Sequence, residues 1–273
     1  MNTWIITGVT SGIGKELAKL CIRKQIAVIG VGRNQEKLQK VQQELGALFT
    51  PMCFDVSDTL AWDAFAKKLQ EENRTDIACL VNNAGQLPSC KRFDAYSLEE
   101  IQRTMQTNFL AAVYASKALL PILLKYKQPT IANVTSSAAL ASMAGTSLYS
   151  ASKAALKAFT ESMREELRGV VRVVLLCPGT TKTDVFRNQA EDFKSNANHI
   201  GMRADVMAKK IFAAIQHKKR RAVIGFDAKM MDILYRYFPR STPATLSSVL
   251  KKSKMDAYQT MYRKEKNDKN GTN

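Results

Sequence analysis

Seven short apolar runs, separated by stretches of helical periodicity, constrain this 273-residue chain more than any other feature. WIITG at 4–8, AVIGVG at 27–32, ALFTPMCFDV at 47–56, IACLVNNAG at 77–85, TIANVTS at 130–136, VVRVVLLCPG at 170–179 and AVIG at 222–225 read as strands. Between them, helical patterns run through Lys24, over 35–45 and over 59–72. A further long helix is capped by Ser97, with Glu100 completing a capping-box pattern, and runs through Leu120. Strands that are apolar on both sides have no face to give to water, so helices must cover the sheet on each side. The expected fold is α/β: a doubly wound, Rossmann-like, parallel seven-stranded sheet in a single domain with a C-terminal helical extension. The expected divisions are a dinucleotide-binding and catalytic domain at 1–225, a basic amphipathic helical extension at 226–262 and a disordered tail at 263–273, where KEKNDKNGTN is too polar to fold.

Composition narrows the classes. The length favours one large domain, and the longest apolar stretch, ALLPILL at 118–124, is far short of a membrane span. The chain opens MNTWIITG, directly into a strand-like run, so no secretory signal is expected and the expected compartment is the cytoplasm. Cys21, Cys53, Cys79, Cys90 and Cys177 are scattered without a C-x-x-C pair, and the only histidines are His199 and His217. No metal site is expected; the thiols should be reduced and mostly packed, Cys90 being the more exposed. The net charge of +17 is concentrated late, residues 216–273 holding 14 Lys/Arg against 5 Asp/Glu. Such a surface draws anionic partners, among them phosphorylated cofactors, acyl carriers, lipid headgroups or nucleic acid, and a merely soluble basic surface is the plain alternative. No aromatic-interleaved basic motif points to a specific nucleic acid.

Ligands of doubly wound sheets bind beyond the carboxyl ends of the strands. The glycines at 8–14, Asp55, Asn82–Gly85, Ser136 and Pro178–Gly179 all follow strand ends. Thr7, Gly8, Gly12 and Gly14 fill T-G-x-x-x-G-x-G between the first strand and the first helix. There glycines allow a tight turn, and the helix N-terminus offers free N–H groups to a pyrophosphate. Glycines also turn strands into helices with no ligand present. At the second strand end Gly32 is followed by Arg33, where an acid would have bonded an adenosine 2′-hydroxyl. Arg33 can grip a 2′-phosphate, which favours NADP(H) over NAD(H), with Lys15 a second candidate and a solvated loop arginine the plain alternative. Tyr149 and Lys153 stand four apart in a helical segment. A fixed ammonium beside a phenol lowers its pKa from about 10, which suits proton transfer; a surface Tyr and Lys on an amphipathic helix is the alternative.

With these residues in this order, the chain resembles the short-chain dehydrogenase/reductase family over residues 4 to about 225. The matches are T-G-x-x-x-G-I-G at Thr7–Gly14, Asp55–Val56, N-N-A-G at Asn82–Gly85, Asn108, Ser136, Y-x-x-x-K at Tyr149–Lys153 and P-G-x-x-x-T at Pro178–Thr183. The resemblance implies that Tyr149 exchanges a proton with the substrate oxygen and Ser136 hydrogen-bonds that oxygen. It implies that Lys153 holds the nicotinamide ribose while depressing the tyrosine pKa, and that Asn108 helps hold a water for proton relay. It further implies NADP(H) contacts from Gly8, Thr10, Ser11, Gly12, Ile13, Gly14 and Arg33, and adenine contacts from Asp55 and Val56. Asn82, Ala84 and Gly85 would line the cofactor, with Pro178, Gly179, Thr181 and Thr183 beyond them, Thr183 bonding the carboxamide. The usual spacing of thirteen selects Ser136, with Ser137 the choice if the loop is one residue short. A homodimer or homotetramer is implied, through the helices at 99–120 and 150–168.

After Thr183 the polar, non-periodic run DVFRNQAEDFKSNANHIGM resembles the family's variable substrate lid. Leu140, Met143, Phe186 and Phe193 are candidates for an apolar pocket wall or for core packing. Farther on, Phe226, Met230, Ile233 or Leu234, and Tyr237 share one helical side, with Lys229 and Arg236 elsewhere, and Leu246, Val249 and Leu250 precede Lys251, Lys252 and Lys254. A basic amphipathic helix of this kind can lie peripherally on an anionic membrane, pack over the active site, or meet a second subunit. The leading expectation is an oxidoreductase that passes hydride between NADP(H) and a carbonyl or secondary alcohol of an apolar small molecule. The alternatives are a 3-oxoacyl-thioester reductase, acting on acyl carrier protein or CoA substrates, and a non-enzymatic cofactor-sensing protein.

Overall fold

Successive residues of a strand face opposite sides of a sheet, and in Thr3–Thr7 (β1) every residue is buried, so Ile5 and Ile6 feed two separate cores. The computed structural model describes residues 2–186, 189, 191, 194, 195 and 201–252. The following strands are Ala27–Gly32 (β2), Phe49–Cys53 (β3), Ile77–Asn82 (β4), Thr130–Val134 (β5) and Arg172–Pro178 (β6). Two-residue strands Thr181–Lys182 (β7) and Met202–Arg203 (β8) pair apart from the main sheet, and Arg221–Ile224 is β9. The main sheet has seven strands in the order β3-β2-β1-β4-β5-β6-β9, each neighbouring pair parallel. The expected doubly wound sheet is therefore present. The chain reverses its direction of travel across the sheet between β1 and β4, which opens a crevice at their carboxyl ends.

On one face Gly12–Arg23 (α1) brings Leu17 and Cys21 onto Trp4, Ile6 and Val28. On the other, Thr59–Glu71 (α3), after Gln35–Leu45 (α2), brings Trp62 and Phe65 onto Ile5 and Ile29. The expected single long helix is three segments: Leu98–Met105 (α4), a π turn at Gln106–Leu110, and Ala111–Leu123 (α5). The capping box forms as read, Ser97 Oγ accepting from the Glu100 N–H at 3.2 Å while the Glu100 carboxylate accepts from the Ser97 N–H at 2.9 Å. Ser147–Glu166 (α6) adds Met163 to the second core, and Ala204–Gln216 (α7) adds Met207, Ile211 and Ile215 to the first. Phe226–Tyr237 (α8) packs on β9 and on a short turn at Ser137–Ala139, and Thr242–Lys252 (α9) packs on α8.

The third strand is shorter than read because Phe54 to Val56 leave the sheet, the Trp62 indole N–H donating to the Val56 carbonyl at 2.8 Å. Cys90 is buried, its N–H donating to Gln189 Oε1 at 2.9 Å; the exposed thiol is Cys53, a reversal of the expectation. Among the described residues no helix is long and apolar enough to cross a membrane. Phe193, His199 and the tail from 253 onward lie outside the described residues.

Candidate active site

The glycine turn after β1 is shaped by what surrounds it. Gly8 and Gly12 have φ of 72° and 55°, the left-handed region that side chains avoid. A Cβ on Gly14 would fall 2.3 Å from the Gly8 carbonyl oxygen and 2.5 Å from Asn83 Nδ2, so only glycine lets α1 start this close to the turn. Ser11 is the N-cap residue but its hydroxyl caps nothing, and the first turn of α1 carries no acid. That helix end therefore presents uncompensated N–H groups beside Thr10 and Ile13, a seat suited to a pyrophosphate. The Thr7 hydroxyl ties the turn to the next strand end, accepting from the Asn83 and Ala84 N–H groups at 2.9 Å each.

At the end of β2, Arg33 is exposed, with Nη1 3.8 Å from Asp55 Oδ2. Burial would raise the Asp55 carboxyl, but the Ser57 N–H at 2.9 Å and hydroxyl at 2.7 Å, with Arg33, hold it below the usual carboxylate range. Lys15, the second candidate for a 2′-phosphate, is paired with Glu44 at 2.8 Å. Val56 packs its side chain in the second core and its carbonyl accepts from the Trp62 indole N–H, so the group it could offer an adenine is its own N–H.

The Asn82 amide nitrogen turns inward, donating to Asn133 Oδ1 at 2.8 Å and Ser116 Oγ at 3.3 Å; Asn133 in turn donates to Thr160 Oγ1 at 2.9 Å. This network braces β4, β5, α5 and α6. Asn82 Oδ1 alone among buried side-chain polar atoms of the described residues lacks a partner, and it borders a small cavity walled by Thr7, Val56, Ala84, Asn108 and Ala111. Gly85, by contrast, is exposed, and a Cβ there would lie 3.1 Å from Lys153 Nζ.

Tyr149 and Lys153 lie one turn apart on α6. The Ser136 hydroxyl accepts from the Ala138 N–H at 3.1 Å and acts on the Tyr149 phenol so as to favour its ionised form; Ser137 is buried. Burial raises the Tyr149 pKa, and the Ser136 hydroxyl only partly opposes this. Lys153 is 3% exposed, its Nζ donating to the Val134 carbonyl at 3.1 Å, and burial brings its pKa down to about 8. The expectation that the ammonium pulls the phenol below its ordinary value is reversed in the protein by itself. Both groups are desolvated together, and that penalty falls on each charged form.

Asn108 sits at 1% exposure in the π turn. Its Nδ2 donates to the Gln86 carbonyl at 2.9 Å and Ser152 Oγ at 3.1 Å, and its Oδ1 accepts from the Gln86 N–H at 2.8 Å. Both amide hydrogens are spent on bracing the 84–86 loop against α6. A water relay through Asn108 would use its carbonyl oxygens.

After β6, Thr183 lies against the glycine turn, its methyl 3.0 Å from where a Gly12 Cβ would stand. Thr181 is buried and donates to the Gly179 carbonyl at 3.0 Å, so it shapes the loop from within rather than facing the crevice. The residue that sequence reasoning missed is Asp227. Its Oδ2 accepts from the Thr180 N–H at 2.6 Å, and a Cβ on Gly179 or Gly225 would collide with its carboxylate at 2.1 Å or 2.6 Å. Two glycines thus make room for one carboxylate that clamps the P-G-x-x-x-T loop. The signal was the G-x-D step after the seventh apolar run, but only the pairing of β6 with β9 brings it to Pro178 and Gly179. Of the proposed pocket walls, Leu140 packs with Leu175 and Cys177 in a core cluster, while Met143 and Phe186 are half-buried.

The model of the short chain dehydrogenase family matches residues 2–194. A serine 3-dehydrogenase of Agrobacterium fabrum is 34% identical over 184 residues, 67% of this chain and 73% of that protein. The NADP-dependent 3-hydroxy acid dehydrogenase YdfG of Escherichia coli is 32% identical over 185 residues, 67% of this chain and 74% of that protein. The closed form of a serine dehydrogenase complexed with NADP+ aligns with a TM-score of 0.72 at 26% identity, over 78% of this chain and 88% of that one.

Proposed function

The chain belongs to the short-chain dehydrogenase family, and from that membership we propose that it passes hydride between NADP(H) and a carbonyl or secondary alcohol of a small molecule. The observation that supports the mechanism is the placement of Tyr149 one turn from buried Lys153 on α6, with the Ser136 hydroxyl acting on the phenol. The uncapped start of α1, the positive-φ glycines and exposed Arg33 fit a dinucleotide with a 2′-phosphate. When bound, that cofactor supplies or accepts the hydride.

The remaining work falls to the chain. Tyr149 gives a proton to the substrate oxygen in reduction and takes it back in oxidation. Ser136 holds that oxygen in place. Lys153 would hold the nicotinamide ribose, and its burial keeps its proton loosely bound near neutral pH. Asn108 and Ser152 keep the 84–86 loop in register with α6, and Asp227 keeps Thr183 over the turn.

For the substrate, an apolar ketone or secondary alcohol is the first reading. A 3-hydroxy acid or 3-oxoacyl thioester is the second, favoured by two relatives whose names place their chemistry at a 3-position and by the basic surface. The test follows NADPH absorbance with apolar ketones and acetoacetyl thioesters, and NADP+ reduction with 3-hydroxy acids, alongside NADH. Turnover with NADPH on one of these classes is expected. Absence of turnover on all of them, with the cofactor bound, would contradict the reading.

A further inference from the structure

The hydride-transfer reading makes no use of the outer face of α8, which lies beyond the residues matched by the family model. Phe226, Met230, Ile233 and Tyr237 stand at i, i+4, i+7 and i+11, a set that spans about 60° of arc on a helix of ~3.6 residues per turn. They are 84%, 41%, 56% and 75% exposed, and Phe238 at the helix end is 60% exposed. The opposite side is anchored by buried Ala228 and Met231. The helix is thus held firmly on one face and left apolar and bare on the other.

The charges around this stripe have one sign. Lys229 and Arg236 project from the flank beside it, and Arg240 follows the helix; all three are exposed. Of the two acids of α8, Asp227 accepts from the Thr180 N–H at 2.6 Å and Asp232 is shared between Arg221 at 2.6 Å and Arg236 at 3.2 Å, so among the described residues the uncompensated charge beside the stripe is that of Lys229 and Arg240. We infer that this face rests on an anionic lipid surface, with the apolar stripe in the headgroup boundary and the flanking cations against lipid phosphates.

Charge decides the occupant. A chain of net charge +17 meets an anionic surface with attraction. A second copy meeting α8 through the same patch would set Lys229, Arg236 and Arg240 against their own like. An acidic protein would need an apolar groove matched to a stripe about 16 Å long, whereas a bilayer boundary needs no matched shape. The helix has 12 residues, enough to lie in the interface and too few to cross.

The test is co-sedimentation of the full chain with vesicles of phosphatidylcholine alone and of phosphatidylcholine mixed with phosphatidylglycerol. The expected result is binding to the mixed vesicles that weakens with salt and little binding to the neutral ones. Combining Phe226→Ser, Ile233→Ser and Tyr237→Ser should lower partitioning at least about tenfold, with unchanged Tm and NADPH affinity because all three side chains are exposed. Lys229→Gln with Arg240→Gln, which leaves the stripe intact, should weaken binding to the mixed vesicles alone. The inference is overturned if the wild type stays in solution with both vesicles, binds both equally, or partitions as strongly after the serine changes. It is overturned equally if the serine changes dissolve a dimer, since a second copy then covers the stripe.

Discussion

Lys153 shows at the scale of one residue how burial and function pull apart. Its pKa of about 8 lies below the ordinary 10.5, so below pH 8 the folded protein carries a buried ammonium at full cost. Between about 8 and 10.5 the unfolded chain still holds the proton that the folded one has released, so stability rises with pH across that window. For the cofactor-free protein the gain is on the order of 3 kcal/mol, read as the unfolding free energy in denaturant. Lys153→Met should remove this rise; parallel wild-type and variant profiles would show that the lysine is not the source. Asp227→Ala leaves the Thr180 N–H unpaired and frees the loop over Gly12. NADPH dissociation measured by fluorescence should weaken about tenfold, the equivalent of one hydrogen bond, with Asp227→Asn in between. The Y-x-x-x-K spacing pointed to Tyr149 and Lys153, and the family resemblance to Ser136. Neither could tell which way the side chains of Asn82, Val56 and Thr181 turn, because the side a residue faces depends on neighbours far along the chain.

Elements announce their starts more clearly than their interiors. Ser97 and Glu100 mark the beginning of α4 in the sequence, and both reciprocal bonds form. Ser97→Ala should cost about 1 kcal/mol, a fall of roughly 2–4 °C in Tm by thermal unfolding. An unchanged Tm would mean that tertiary packing alone sets this helix end. The π turn at Gln106–Leu110 left no comparable mark, since one extra residue hardly disturbs an apolar periodicity. Its cause is tertiary: Asn108 is drawn in by Gln86 and Ser152. The β7 and β8 pair was equally hidden, because two residues each are too few for alternation to show.

For the whole molecule, apolar runs on both sides of each strand were enough to foresee a parallel sheet covered on both faces, and with it a crevice at the carboxyl rim. The order of the strands was not legible, and it is the order that brings Asp227 beside Gly179. Cofactor choice belongs to this scale too, since in the proposed binding mode the 2′-phosphate would meet the β2 end and the nicotinamide would lie near α6. Arg33→Ala should raise the KM for NADPH at least about tenfold while leaving that for NADH nearly unchanged, as expected when a charge-assisted bidentate contact is lost. Equal effects on both cofactors would place the 2′-phosphate elsewhere. The most direct test of the central claim compares the wild type with Tyr149→Phe for NADPH affinity and for turnover on the same substrate. Retained affinity with turnover reduced at least about a hundredfold is the result predicted for a phenol that carries the proton. Turnover undiminished in the phenylalanine variant would contradict it.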